Sequence, residues 1–145
     1  MLYVKEYIFR GRRRARGKER RITLLVTLCA AVILLVAADL ISKAAAVSVL
    51  SQTGGALEFI PGLIRFEYHK NTGMAWGLFS NATWVFVVIT IVTGGLIVFI
   101  LLKTLKTMPR NLQLGLALVL SGAIGNLIDR VALGYVRDFI AFDFM

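Results

Sequence analysis

Three long apolar runs are set into a chain that is polar at its start and mixed in its middle. Ile22 to Ala38 carries no charged residue, Ala82 to Leu102 gives 21 uncharged residues and Leu112 to Ile128 gives another 17. A helix needs about 20 apolar residues to cross about 30 Å of hydrocarbon, so the middle run spans unaided and the outer two span with their flanks. Helices rather than strands are expected, because lipid offers no partner for backbone N–H and C=O groups. The pattern predicts a mainly α membrane protein with three transmembrane helices and one membrane domain.

Between the first and second runs the period changes. Leu63 to Tyr68 alternates, with Phe66 and Tyr68 on one face and Arg65 and Glu67 on the other, as in a short strand. Asn71, Gly73 and Gly77 punctuate a turn after it. The segment from Gly54 to Ser80 therefore predicts a small external sheet-like platform, and its rings, Phe59, Phe66, Tyr68, Trp76 and Phe79, suit the headgroup level. The first helix is expected from near Arg20 to near Val49, with Asp39 and Lys43 four residues apart on one face, a spacing that permits pairing.

Charge orients this scaffold. Of the 17 Lys and Arg residues behind a net charge of +9, nine lie in the first 21 positions. Residues 1–21 thus read as a basic, mobile cytoplasmic extension, and residues 22–145 as the membrane domain. A basic arm placed just before a span follows the positive-inside rule and implies anionic lipid rather than nucleic acid as its partner. Lys103, Lys106 and Arg110 put the connection between the second and third runs on the same, cytoplasmic side, leaving Ser42 to Asn81 and the C-terminal tail outside. Asp39 and Lys43 interrupt the stretch leading to Ala44, Ala45 and Ala46, so the first run reads as a retained span rather than a cleaved leader. Cys29, the single cysteine, lies inside that span and is expected to pack in the core.

Candidate chemistry concentrates near the end of the third run. Ser121 to Phe142 carries Asn126, Asp129, Arg130, Arg137 and Asp138 among apolar neighbours, and ionisable groups in or beside hydrocarbon mark functional sites with partners. Asp129 and Arg130 are expected to satisfy each other or nearby backbone and to anchor the helix end, while Asp138, in an extended segment with Val136, Phe139 and Ile140, is the candidate catalytic acid. Two carboxylates sharing a proton can activate water on a peptide carbonyl, one as base and one as acid. Other hydrolytic routes lack residues: His69 is the one histidine and reads as an exposed loop residue, and no clustered His or Cys spacing suits zinc. No metal and no cofactor is expected. Ser42 and Lys43 are adjacent and diverge by about 100° on a helix, which argues against a Ser/Lys pair.

Three separated blocks, Asp39 to Lys43 (DLISK), Asn71 to Gly77 (NTGMAWG) and Gly122 to Phe139 (GAIGNLIDRVALGYVRDF), resemble in order the motifs of the lipoprotein signal peptidases, or signal peptidase II. The resemblance covers about Ile22 to Met145. It implies a multi-pass protein of the bacterial inner membrane, with four helices and an external β-cradle, acting as an aspartyl endopeptidase. The enzyme removes signal peptides from diacylglyceryl-modified prolipoproteins at the outer face. By the resemblance Asp138 is one catalytic aspartate, supported by Asp39, Lys43, Asn71, Gly73, Asn126, Asp129 and Arg130. The family's F-N-x-A-D-like segment, which supplies a second aspartate, has no counterpart before Met145, and Asp143 lies five positions on, facing away from Asp138 in an extended chain. The expectation is a C-terminally truncated member with little activity of its own, or a binding protein that retains the cradle.

Overall fold

The computed structural model describes the backbone of residues 2–73 and 83–143 and the side chains of 17–73 and 83–143. Six elements follow in order: α1 (Leu2–Gln52), β1 (Ala56–Ile60), β2 (Ile64–Asn71), α2 (Thr83–Thr104), α3 (Arg110–Leu133) and β3 (Val136–Phe142). Three helical stretches, Gly17–Gln52, Thr83–Thr104 and Arg110–Leu133, are long and apolar enough to cross a membrane. At 22 residues α2 is about 33 Å long at about 1.5 Å per residue, which matches the hydrocarbon thickness.

α3 is the central post, packed against α1 on one side and α2 on another. The interior is small: Leu50, Leu101, Leu105, Ala117, Leu120 and Val136 are buried, whereas Ile33, Leu34, Trp84, Val92, Val119 and many like them face outward. So much exposed aliphatic surface on helices of this length suits lipid rather than water as the solvent. Cys29 belongs to this outward set and is exposed, contrary to the expectation of core packing. A position inside a span gives no guarantee of an inward face, because helix–helix contact in lipid uses a narrow stripe.

The ends of α3 are set by two residues with opposite backbone demands. Pro109 precedes its first turn, where a missing N–H costs nothing. Gly134 closes it at φ 83°, its N–H donating to Arg130 O at 3.1 Å, a left-handed cap that glycine adopts without a Cβ penalty. The chain then reverses directly into β3. That reversal completes an antiparallel sheet in the order β1-β2-β3. The platform expected between the first two spans therefore draws one of its three strands from beyond the third span. Phe59 packs on Phe66 at 5.2 Å between ring centroids, and Phe66 faces Phe139 at 6.4 Å, so one aromatic row crosses all three strands.

Two further expectations are corrected. α1 is helical from Leu2 rather than from near Arg20, because its basic start is built from Arg, Lys, Glu and Ala, good helix formers without a proline. His69 lies on β2, not in a loop; its side chain is exposed, with Nε2 3.3 Å from Glu67 Oε1. Trp76, Gly77 and Phe79 lie outside the described residues.

Candidate active site

The site forms where α1, the C-terminal end of α3 and the β2–β3 ladder meet. Lys43 is 5 % exposed, which an ammonium tolerates only with close partners. Its Nζ donates to Asn126 Oδ1 at 2.8 Å and lies 3.6 Å from Asp129 Oδ2. It also pairs with Asp39 Oδ2 at 2.8 Å, an ion pair without hydrogen-bond alignment. One lysine on α1 thus binds two polar residues of α3, and the expected Asp39–Lys43 pair turns out to be part of an interhelical network.

Asp129 is 1 % exposed and anchors that network to the sheet. Its Oδ2 accepts the backbone N–H of Arg137 at 3.1 Å, and its Oδ1 accepts Arg137 Nε at 3.1 Å and NH2 at 2.6 Å. The expected partner, Arg130, is not used. Neighbours on a helix diverge by about 100°, so Arg130 leaves on another face and lies over the Phe86 ring of α2, 5.2 Å from its centroid. Its Nε is buried without a hydrogen-bond partner, and its charge interacts with those of Asp138 and Asp129. Arg137 is held more firmly in its charged form by the bond to Asp129.

Asp138 stands on β3 directly opposite His69, and Asn71 opposite Val136, so Asn71 and Asp138 are diagonal neighbours across the ladder. Asn71 Nδ2 donates to Asp138 Oδ2 at 2.7 Å. Its carboxamide cannot turn round, because Oδ1 accepts the N–H of buried Gly73 at 3.0 Å. The Asn-x-Gly spacing is therefore a device for aiming an amide N–H at one carboxylate. Thr83 closes the loop from the other side, its hydroxyl 3.2 Å from Thr72 O and 3.0 Å from Gly134 O. Beside the ladder an apolar pocket of about 270 Å³ is lined by Ala45, Ala46, Val49, Leu57, Phe66 and Phe139.

A family model described as signal peptidase (SPase) II matches residues 31–145. The chain belongs to the signal peptidase II family. It is 44 % identical over 112 residues to the lipoprotein signal peptidase of Enterococcus faecalis, covering 77 % of this chain and 68 % of that one. With the lipoprotein signal peptidase of Streptococcus pyogenes serotype M2 it shares 43 % identity over 116 residues, covering 78 % and 73 %. Among solved structures, a bacterial membrane enzyme determined in meso at 2.3 Å resolution superposes with a TM-score of 0.63 at 32 % identity, covering 80 % of this chain and 70 % of that one. Another, at 1.9 Å, gives 0.61 at 32 % identity over 81 % and 74 %.

Within this signal peptidase II chain the described candidates fall into two joined groups: Asp39, Lys43, Asn126 and Asp129 around the buried ammonium, and Asn71, Gly73 and Asp138 on the ladder, with Arg130 between Phe86 and the charge of Asp138. Arg137, one of the ionisable residues that mark Ser121 to Phe142 but one to which the sequence assigns no role, joins the groups. Asp143 pairs with Arg65 at 3.4 Å, so it serves the far end of the ladder rather than Asp138. Tyr68 and Tyr135 were also missed; their hydroxyls meet at 3.2 Å across β2 and the start of β3. The Tyr135 hydroxyl, then burial, pushes the Tyr68 pKa up to about 12. A proton held more tightly than in the unfolded chain stabilises the fold below about pH 10, and that contribution disappears as pH rises through about 12. Titrating tyrosinate absorbance should show a late-ionising component that Tyr68→Phe removes; an unchanged titration would mean the pair does not form.

Proposed function

We propose that this chain is an aspartyl endopeptidase component acting on diacylglyceryl-modified prolipoproteins, with Asp138 as one of two acids. Family membership and relatives named lipoprotein signal peptidase support the reaction class. The observation that carries the assignment of Asp138 is its bond from Asn71, whose amide is itself oriented by Gly73. A carboxylate held by one donor among the described residues, at a membrane boundary, keeps lone pairs for a water, whereas Asp129 has committed both oxygens to Arg137.

In this reading Asp138 and a second carboxylate flank a water at the scissile carbonyl. One takes the water's proton as its oxygen adds to the carbonyl carbon while the other protonates the carbonyl oxygen; as the C–N bond breaks, the first passes its proton to the departing amine and the second takes one back from a hydroxyl of the tetrahedral intermediate. Asp39, Lys43, Asn126 and Asp129 hold α1, α3 and β3 in register, and Arg130 supplies positive charge beside Asp138. The apolar pocket along Phe66 and Phe139 suits an aliphatic part of the precursor. The basic start of α1 supports an N-terminus in the cytoplasm of a bacterial inner membrane, with the sheet and site at the outer face.

Among the described residues, the neighbouring acids are engaged elsewhere: Asp39 and Asp129 on Lys43, Asp143 and Glu67 on Arg65. This favours a second reading, in which these 145 residues bind precursor and turn it over slowly or not at all. A gel-shift cleavage assay with lipid-modified precursor, run beside photocrosslinking to it, distinguishes the two. Crosslinking with little turnover is expected. Robust cleavage abolished by Asp138→Asn would show a second acid within these residues, and cleavage that survives Asp138→Asn would remove Asp138 from the mechanism.

A further inference from the structure

The opposite end of the bundle carries a feature that precursor cleavage does not use. Lys18, Arg20 and Arg21 on α1, Lys103 on α2, Lys106 in the connection and Arg110 at the start of α3 are all exposed there. The two sets lie together: Lys106 Nζ is 3.8 Å from where a Cβ on Gly17 would stand. Glu19 is the one acid among the described residues of this end, and it has no ion pair with any of the six. Six cations with so little internal compensation attract a polyanion or an anionic surface.

Below them a groove of about 340 Å³ opens between α1 and α3. Arg110, Thr23, Leu24 and Thr27 stand toward its basic end, and Leu28, Ala31 and Leu114 continue it toward the middle of the spans. From Thr27 to Ala31 is about 6 Å of helix at about 1.5 Å per residue, enough to lay the first few methylenes of a chain against the wall. Two polar groups at its mouth are unspent. Thr23, Thr90, Thr93 and Thr104 return their hydroxyls to their own helices, but Thr27 makes no hydrogen bond among the described residues. Arg110 likewise has neither ion pair nor side-chain hydrogen bond there.

We propose that this groove seats one anionic glycerophospholipid, its phosphate on Arg110 and the Thr27 hydroxyl, and an acyl chain along Leu28, Ala31 and Leu114. The order of chemistry along the groove, cation, then hydroxyl, then aliphatic wall, is that of a phospholipid lying along a span. A basic pocket between helices at the headgroup level is how such lipids are held individually rather than as a diffuse atmosphere. The proposal does not depend on Asp138, so its failure leaves the peptidase reading intact.

The test is native mass spectrometry of the purified chain in detergent, titrated with phosphatidylglycerol or phosphatidylcholine, with helical circular dichroism to confirm folding of each variant. One saturable phosphatidylglycerol is expected, held at least about fivefold tighter than phosphatidylcholine, the difference a single interfacial cation makes. Arg110→Gln should erase that preference, Thr27→Trp should block the saturable lipid by filling the groove, and Lys103→Gln, whose ammonium lies over Phe99, should leave both unchanged. Equal retention of the two lipids, or equal losses in the Arg110 and Lys103 variants, would show only diffuse surface charge and overturn the proposal. Competition by soluble glycerol phosphate as strong as by the lipid would overturn it too, since the groove would then contribute nothing.

Discussion

Asp129→Ala is expected to destabilise the protein by about 3–5 kcal/mol, the cost of breaking a buried ion network by removing one partner. Asp129 is 1 % exposed and receives three hydrogen bonds from Arg137, two from the guanidinium and one from the backbone. Its loss would strand that guanidinium and leave buried Lys43 with Asp39 as its one remaining anion. Asp129→Asn keeps the volume but loses the charge and should fall between parent and alanine variant. Glu67→Gln is the contrast: it breaks the Arg65 pair, whose side chains are 45 % and 29 % exposed, and should cost no more than about 1 kcal/mol. Equilibrium unfolding in mixed micelles would measure all three. If Asp129→Ala came within about 1 kcal/mol of Glu67→Gln, the network would be behaving as a solvated one.

Much of this arrangement can be read along the chain, and the part that cannot has a common cause. The spans are legible because hydrocarbon thickness sets a length that 17 to 21 uncharged residues meet. The Asp39–Lys43 contact is legible because it is local, four residues on one helix. The partner of Asp129 is not, since it depends on the left-handed turn at Gly134 folding β3 back onto α3; Arg130, nearer in sequence, loses to Arg137, eight residues on. The extended segment around Asp138 is legible, but its place as the third strand is hidden for the same reason. Its pairing partner lies across two helices, and an extended segment next to a span gives no sign of which edge it will join. The glycines were legible only as a class. Gly115, Gly122 and Gly125 all offer a small surface on α3, yet a side chain at Gly115 or Gly122 would meet nothing within 4 Å.

Gly125→Ala should therefore behave unlike Gly122→Ala. A Cβ on Gly125 would overlap the Asp39 carboxylate, 2.8 Å from its Cγ. Either the carboxylate rotates off Lys43, which leaves the buried ammonium only the more distant Asp129 carboxylate, or α1 and α3 separate and Asn126 moves from the Lys43 Nζ that it now meets at 2.8 Å. Overpacking of this kind costs about 1–3 kcal/mol. Gly122→Ala meets open space and should be neutral or stabilising by up to about 1 kcal/mol through helix propensity. The cause can be isolated by a double-mutant cycle. In an Asp39→Ala background the nearest remaining atom is the residue 39 Cβ at 3.5 Å, an ordinary contact, so adding Gly125→Ala should then cost less than about 0.5 kcal/mol. Unfolding measurements on the four proteins give the coupling directly. Additive losses would place the penalty in α3 itself, whereas a coupling of at least about 1 kcal/mol would show that Gly125 is small so that the Asp39 carboxylate can lie between the helices.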